Sequence, residues 1–242
     1  MVEKYFLENY ALKNETSFRN ILREYCQHLF LAEFYKKPLS EKFLFKGGTA
    51  LKLLFDSPRF SEDIDFSALK NSISYEKILE EVLANLSSEN IKIDLLESKP
   101  TSGGHLAIIS FSLLGEKIEL RNEISFRPKG VLERELVVVT SQMMPTYKVY
   151  SLSKKLMVGE KVEALMTRQK ARDFFDLYFI LRKKELRQVL KFNQGQRERI
   201  ISQLENQEKT EIKKELKRLL PKSFWHIIKD FPTVLRRELE GF

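Results

Sequence analysis

Residues 45–67 read FKGGTALKLLFDSPRFSEDIDFS and hold two groups that can act on phosphate. The first is Lys46-Gly47-Gly48-Thr49, opening the apolar run Ala50 to Phe55. Paired glycines let a ligand approach the main chain. Thr49 is a first-turn or capping residue for the helix that follows. The unpaired N–H groups at a helix start suit a phosphate. The second group is Asp63-Ile64-Asp65, in a short strand-like run ending at Phe66. On a strand, Asp63 and Asp65 share one face while Ile64 and Phe66 face a core. Two neighbouring carboxylates repel, and a divalent cation with oxygen preference removes that cost. Metal ions held there stabilise the attacking and leaving oxygens of a phosphoryl displacement. No Gly-Lys-Ser/Thr follows four residues after a glycine, so this is not a Walker loop.

Further along, Lys117–Arg127 reads as a strand with Ile118, Leu120, Ile124 and Phe126 on one side. Glu119, Arg121 and Glu123 take the other. A third carboxylate helps to hold the catalytic ion and to accept a proton from the attacking hydroxyl, and both Glu119 and Glu123 have the right polarity. Lys161 lies among apolar neighbours in a helical stretch, where an unpaired charge is costly. It either snorkels to solvent or meets a phosphate.

Gly-Gly-Thr-Ala-Leu followed by Arg59-Phe60-Ser61-Glu62-Asp63-Ile64-Asp65-Phe66, and then EKVEAL…RQKARDFFDLY at 160–178, resembles the AbiEii/AbiGii-type nucleotidyltransferase toxins. These are toxins of toxin–antitoxin and phage-abortive systems in the DNA polymerase β-like nucleotidyltransferase superfamily. The resemblance spans about residues 43–181. It implies an α/β (α+β) fold: a polymerase β-like core with a mixed sheet over 1–150, then a basic α-helical lobe over 151–242 that completes the active site. It implies NTP-dependent, pyrophosphate-releasing transfer with Mg²⁺ or Mn²⁺ as cofactor. The acceptor would be RNA, specifically the 3′ end of tRNA, with arrested translation as the outcome and a cognate antitoxin as protein partner. By this likeness Gly47, Gly48 and Thr49 bind the nucleotide, Asp63 and Asp65 bind metal, and Glu123 is favoured over Glu119 as third acid. Lys161 would contact nucleotide phosphate. Asp173 would support the site by orienting Lys161 or the substrate, and Asp176 would either do the same or pair with Arg172. Two other readings stand beside this one: transfer to a protein or small molecule, and a non-catalytic RNA- or antitoxin-binding module.

The elements that must position these residues are legible in outline. Residues 3–15 and Phe18 to about Tyr35 read as helices, the second capped by Thr16 or Ser17. His28 within it reads as structural. Phe43–Phe45 is a brief strand or helix end. Residues 75–87 form an amphipathic helix. Ile91–Leu96, His105–Leu114, Lys117–Arg127, Val131–Val139 and Thr146–Tyr150 read as strands, and the whole suggests a mixed sheet of about five strands. The hairpin at Leu114-Gly115 should lie beside the Asp63–Asp65 strand. Arg59 can reach a phosphate or pair with Glu62 or Asp63. From Ser153 the pattern is helical, continuing through Leu186–Phe192, Gln196–Leu204, Ile212–Leu220 and Ser223–Phe231, with breaks expected at Pro221 and Pro232. Trp225 reads as core or as a base-stacking ring.

Charge is placed unevenly. Residues 151–242 carry 22 Lys/Arg against 13 Asp/Glu, whereas 1–150 carry 20 against 21. A basic lobe beside an acidic metal site suits a polyanionic second substrate, and nucleic acid is the leading candidate. The single Cys26 excludes an internal disulfide and a Cys-based zinc site. No apolar run approaches the roughly 20 residues of a membrane span, and the first residues lack an apolar signal core, so a cytoplasmic protein is expected.

Overall fold

The structure is a computed structural model and describes residues 2–69, 75–127, 132–207 and 209–242. It divides into two compact units, residues 1–56 with 60–152, and residues 57–59 with 153–242.

The first unit opens with α1 (Lys4–Lys13) and α2 (Phe18–Phe34). Ser17 caps α2 by accepting the Asn20 N–H. Next come β1 (Leu44–Lys46), α3 (Gly47–Phe55), β2 (Asp63–Leu69) and α4 (Tyr75–Ser88). The strands β3 (Lys92–Thr101), β4 (Gly104–Leu113), β5 (Glu116–Arg127), β6 (Arg134–Val139) and β7 (Tyr147–Leu152) complete it. Of the stretch expected as a strand over 131–139, Val131 lies outside the described residues.

The seven strands among the described residues form one sheet, in the order β3-β4-β5-β2-β1-β7-β6. This exceeds the expected five or so. β1 has only three residues and is too short to show a two-residue period. The sheet is mixed: β2 runs parallel to β5 and β1 parallel to β7, while the other neighbours are antiparallel. The β4–β5 hairpin turns through Leu114 and Gly115, both at positive φ, as a two-residue turn matched to strand twist requires. As expected, it lies beside β2.

Alternation along β2 does the essential positioning. Ile64 and Phe66 are fully buried, and Phe66 stacks on Phe34 of α2 with ring centroids 5.0 Å apart. Phe45 of β1 closes on the same ring at 6.2 Å. A one-residue slip would put aspartates into this aromatic core, so the register is strongly held. Asp63 and Asp65 are thereby fixed on the opposite face.

The second unit is helical: α5 (Lys154–Thr167), α6 (Ala171–Arg182), α7 (Lys184–Arg187), α8 (Gln196–Glu205), α9 (Lys209–Leu219), α10 (Trp225–Lys229) and α11 (Phe231–Glu240). Phe174, Phe175 and Leu177 of α6 are buried with Leu204, Leu216, Phe231 and Leu235. Phe175 stacks on Phe231 at 6.0 Å. Pro232 opens α11 where a break was expected, because proline is tolerated in a first turn, whose N–H groups have no intrahelical partner. The helix expected over Leu186–Phe192 is a single turn, Lys184–Arg187. No helix among the described residues is long and apolar enough to cross a membrane.

Candidate active site

In the first unit β1 runs directly into α3, with Lys46 extended and Gly47 at φ +86°. A Cβ at Gly47 would stand 2.0 Å from Asp65 Oδ2. Gly47 therefore supplies both a backbone angle that L-residues avoid and the room for the Asp65 carboxylate. Thr49 is buried, and its hydroxyl donates to the Asp63 main-chain carbonyl, tying the first turn of α3 to the start of β2. No side chain of the N-cap residue Lys46 closes off the first turn of α3. Its leading amides, with the helix dipole behind them, suit an anion.

The sheet register brings the expected carboxylates together. Asp65 sits between Lys46 on β1 and Glu123 on β5, and Asp63 sits beside Arg121. Register partners on adjacent strands share a face. Lys46, Asp63, Asp65, Arg121 and Glu123 therefore share one side of the sheet. Asp63, Asp65 and Glu123 are partly exposed, and Lys46 is buried. Glu119 pairs with Ser110 on β4, is exposed, and lies beyond the start of β2. Glu123 carries a hydrogen bond from Arg121 Nε at 2.5 Å. That bond is the main reason the Arg121 pKa is raised, with Asp63 and Glu97 adding to it. Carboxylate oxygens on one face are the donor set a hard divalent cation takes. As arranged, no three Asp, Glu, His or Cys side chains among the described residues stand ready to hold an ion.

In the second unit Lys161 of α5 is buried and donates to Asp176 Oδ2 of α6 at 2.7 Å. Arg59 grips the same carboxylate with two bonds, Nε to Oδ1 at 2.7 Å and Nη2 to Oδ2 at 2.9 Å. Arg59 is 3% exposed and Asp176 fully buried. Burial alone would raise the Asp176 pKa, but Arg59 and then Lys161 outweigh it and hold the carboxyl at about 2. Asp173, in the first turn of α6, is held by two hydrogen bonds from Arg168, at 2.8 and 2.6 Å.

These contacts correct several expectations. Asp176 meets Lys161, one of the two roles expected for it, whereas Asp173 is held by Arg168. Arg59 meets Asp176, a partner not expected for it, and Glu62 faces Arg23 at 3.4 Å. Arg172 faces Glu215 at 3.9 Å rather than Asp176. Lys161 does not snorkel. Lys46 was read as the residue opening the Gly-Gly stretch but given no role of its own. Arg121 was placed on the acidic face by alternation but given no role. His28 is structural, with Nδ1 2.8 Å from the Tyr147 hydroxyl; burial, with Lys52 nearby, holds its pKa at about 4. Cys26 is fully buried, which pushes its thiol to about 12 and leaves it inert. Trp225 is partly buried with the Lys217 ammonium 5.0 Å from its ring centroid.

Comparison with known proteins joins this geometry to a family. The sequence profile of the nucleotidyl transferase AbiEii toxin family, type IV toxin–antitoxin system, matches residues 29–235. Among solved structures, MenT4, a nucleotidyltransferase toxin from Mycobacterium tuberculosis H37Rv, superposes with a TM-score of 0.68 at 16% identity, covering 99% of this chain and 89% of that one. JHP933 from Helicobacter pylori superposes with a TM-score of 0.54 at 22% identity, covering 93% and 95%. At these identities the likeness is one of fold. A search of curated protein sequences gave no match. With the match spanning most of the chain, the protein belongs to the AbiEii nucleotidyltransferase toxin family of type IV toxin–antitoxin systems.

Proposed function

We propose that this protein transfers a nucleoside monophosphate from an NTP to the 3′ end of tRNA in the cytoplasm, and so blocks translation. The observation that carries the reading is the register of β2 with β5 beside the glycine start of α3. It sets Asp63, Asp65 and Glu123 on one face, with Gly47 against the Asp65 carboxylate.

The residues divide the work as follows. Gly47, Gly48 and Thr49 hold the triphosphate at the start of α3. Asp63, Asp65 and Glu123 would hold Mg²⁺ or Mn²⁺, which when bound neutralises phosphate charge and polarises the α-phosphorus. Glu123 takes the proton of the acceptor hydroxyl. The acceptor oxygen bonds to the α-phosphorus, the bond to the bridging oxygen breaks, and pyrophosphate leaves. Lys161 uses one of its three donors on Asp176, leaving others for a nucleotide phosphate. Asp173 and Asp176 support it by balancing the cations around it. Residues 1–150 act as the nucleotidyltransferase core, and residues 151–242 contribute Lys161 and a basic surface for RNA. A cognate antitoxin is the protein partner.

The test uses purified protein, a divalent cation, total tRNA and each α-³²P-labelled nucleoside triphosphate in turn, with Asp65→Ala alongside. Label on tRNA with the wild type alone is expected. Absence of label with all four nucleotides would remove tRNA as the acceptor.

A further inference from the structure

We propose that Arg121 is the resident counter-ion of Glu123, occupying the third carboxylate until a divalent cation displaces it. The inference rests on the reading of Glu123 as a metal ligand and assigns a role to a residue that reading leaves idle.

Three carboxylates share a face, yet they do not form a ligating trio among the described residues. The Glu123 carboxylate is engaged elsewhere: Arg121 Nε lies 2.5 Å from its Oε1. Arg121 stands two residues earlier on the same strand, so its side chain leaves the same face. It is also the register partner of Asp63. Its guanidinium therefore lies in the combined field of Asp63, Glu97 and Glu123, the field that would attract a metal. One planar monocation stands where a compact divalent ion would bring more charge.

The pair is built to be broken. Its side chains are 48% and 47% exposed, so water replaces the lost bond on both sides. Exposed ion pairs are weak. Lys46, another cation on this face, is buried and cannot leave cheaply. The two cations thus differ in kind: Lys46 is a fixed part of the face, and Arg121 is a removable one. At low metal Arg121 offsets the Glu123 charge, which lessens its repulsion of Asp65. With metal bound, Glu123 swings to the ion and Arg121 is released to solvent.

The experiment is a Mn²⁺ titration followed by electron paramagnetic resonance of the free ion, on full-length wild type, Arg121→Gln, Glu123→Gln and the double variant. Thermal melts first establish that each is folded, which the exposure of both side chains favours. Arg121→Gln is expected to bind Mn²⁺ about two- to five-fold more tightly, the range an exposed pair allows. Glu123→Gln is expected to bind more weakly, and adding Arg121→Gln to it is expected to gain nothing. That last comparison separates competition for one carboxylate from the general effect of removing a positive charge. An Arg121→Gln affinity equal to or below wild type, or a gain that persists without Glu123, would overturn the proposal while leaving the nucleotidyltransferase reading intact. If Glu123→Gln binds Mn²⁺ like wild type, both the proposal and the assignment of Glu123 as a ligand fall.

Discussion

Replacing Gly47 by alanine tests whether the start of α3 and the aspartate strand work as one device. An alanine there must hold φ near +86°, which costs an L-residue about 1–2 kcal/mol. Its Cβ would also lie 2.0 Å from Asp65 Oδ2, 2.8 Å from Cγ and 2.9 Å from Cβ. Ordinary contact begins near 3.4 Å, so the carboxylate must retreat by more than 1 Å. The β2 backbone cannot yield, because β1 and β5 flank it and Ile64 and Phe66 anchor its other face. The side chain must therefore rotate away, adding about 1–3 kcal/mol of overpacking cost. The expected fall in stability is about 2–5 kcal/mol, measurable by urea denaturation of the first unit. Catalysis should suffer more than folding does, since a displacement of about 1 Å at reacting groups costs on the order of 10²-fold in rate. The assay is label transfer from NTP under saturating Mg²⁺, compared with Asp65→Ala. A Gly47→Ala enzyme within a few-fold of wild type would show that the Asp65 position does not govern the chemistry.

Two further outcomes follow from buried charge. Asp176→Asn leaves Arg59 and Lys161 without their shared carboxylate and should destabilise the second unit by about 3–5 kcal/mol in urea melts; a loss below about 1 kcal/mol would mean that other groups already balance them. His28 stays neutral in the fold with a pKa of about 4 against an ordinary 6.5. Below pH 6.5 the unfolded chain therefore binds the extra proton first. This stabilisation, complete above pH 6.5, should be lost between pH 6.5 and 4, amounting to about 3 kcal/mol. His28→Gln should flatten the thermal-stability profile over that window, and parallel profiles for the two proteins would refute the assignment.

What was legible in the sequence was local. Alternation in Asp63-Ile64-Asp65-Phe66 fixes which side chains meet the core, and the structure keeps that division. The Gly-Gly before an apolar helix was equally plain, although the contact between Gly47 and Asp65, eighteen residues apart, was not. The choice between Glu119 and Glu123 could not be made from their own strand, because both share one face. It turns on which residue stands opposite Asp65, a parallel pairing whose register no local pattern encodes. In the second unit, Asp173 and Asp176 lie three apart on one helix and look equivalent. Asp176 is set apart by Arg59, 117 positions away. Pro232 does mark a break, between α10 and α11, but the helix it opens was not foreseen: proline ends a helix from within and begins one at its first turn, and the residue alone does not say which.

The chain leaves the first unit for three residues, 57–59, and returns to it for nearly a hundred more before the second unit is built. Arg59 is thus made long before Lys161 and Asp176. During synthesis at about 5–20 residues per second it waits several seconds for its carboxylate. A gene fragment encoding residues 153–242 alone would lack the bidentate partner of Asp176. A second-unit fragment that is to keep this carboxylate gripped must therefore carry the short 57–59 segment along.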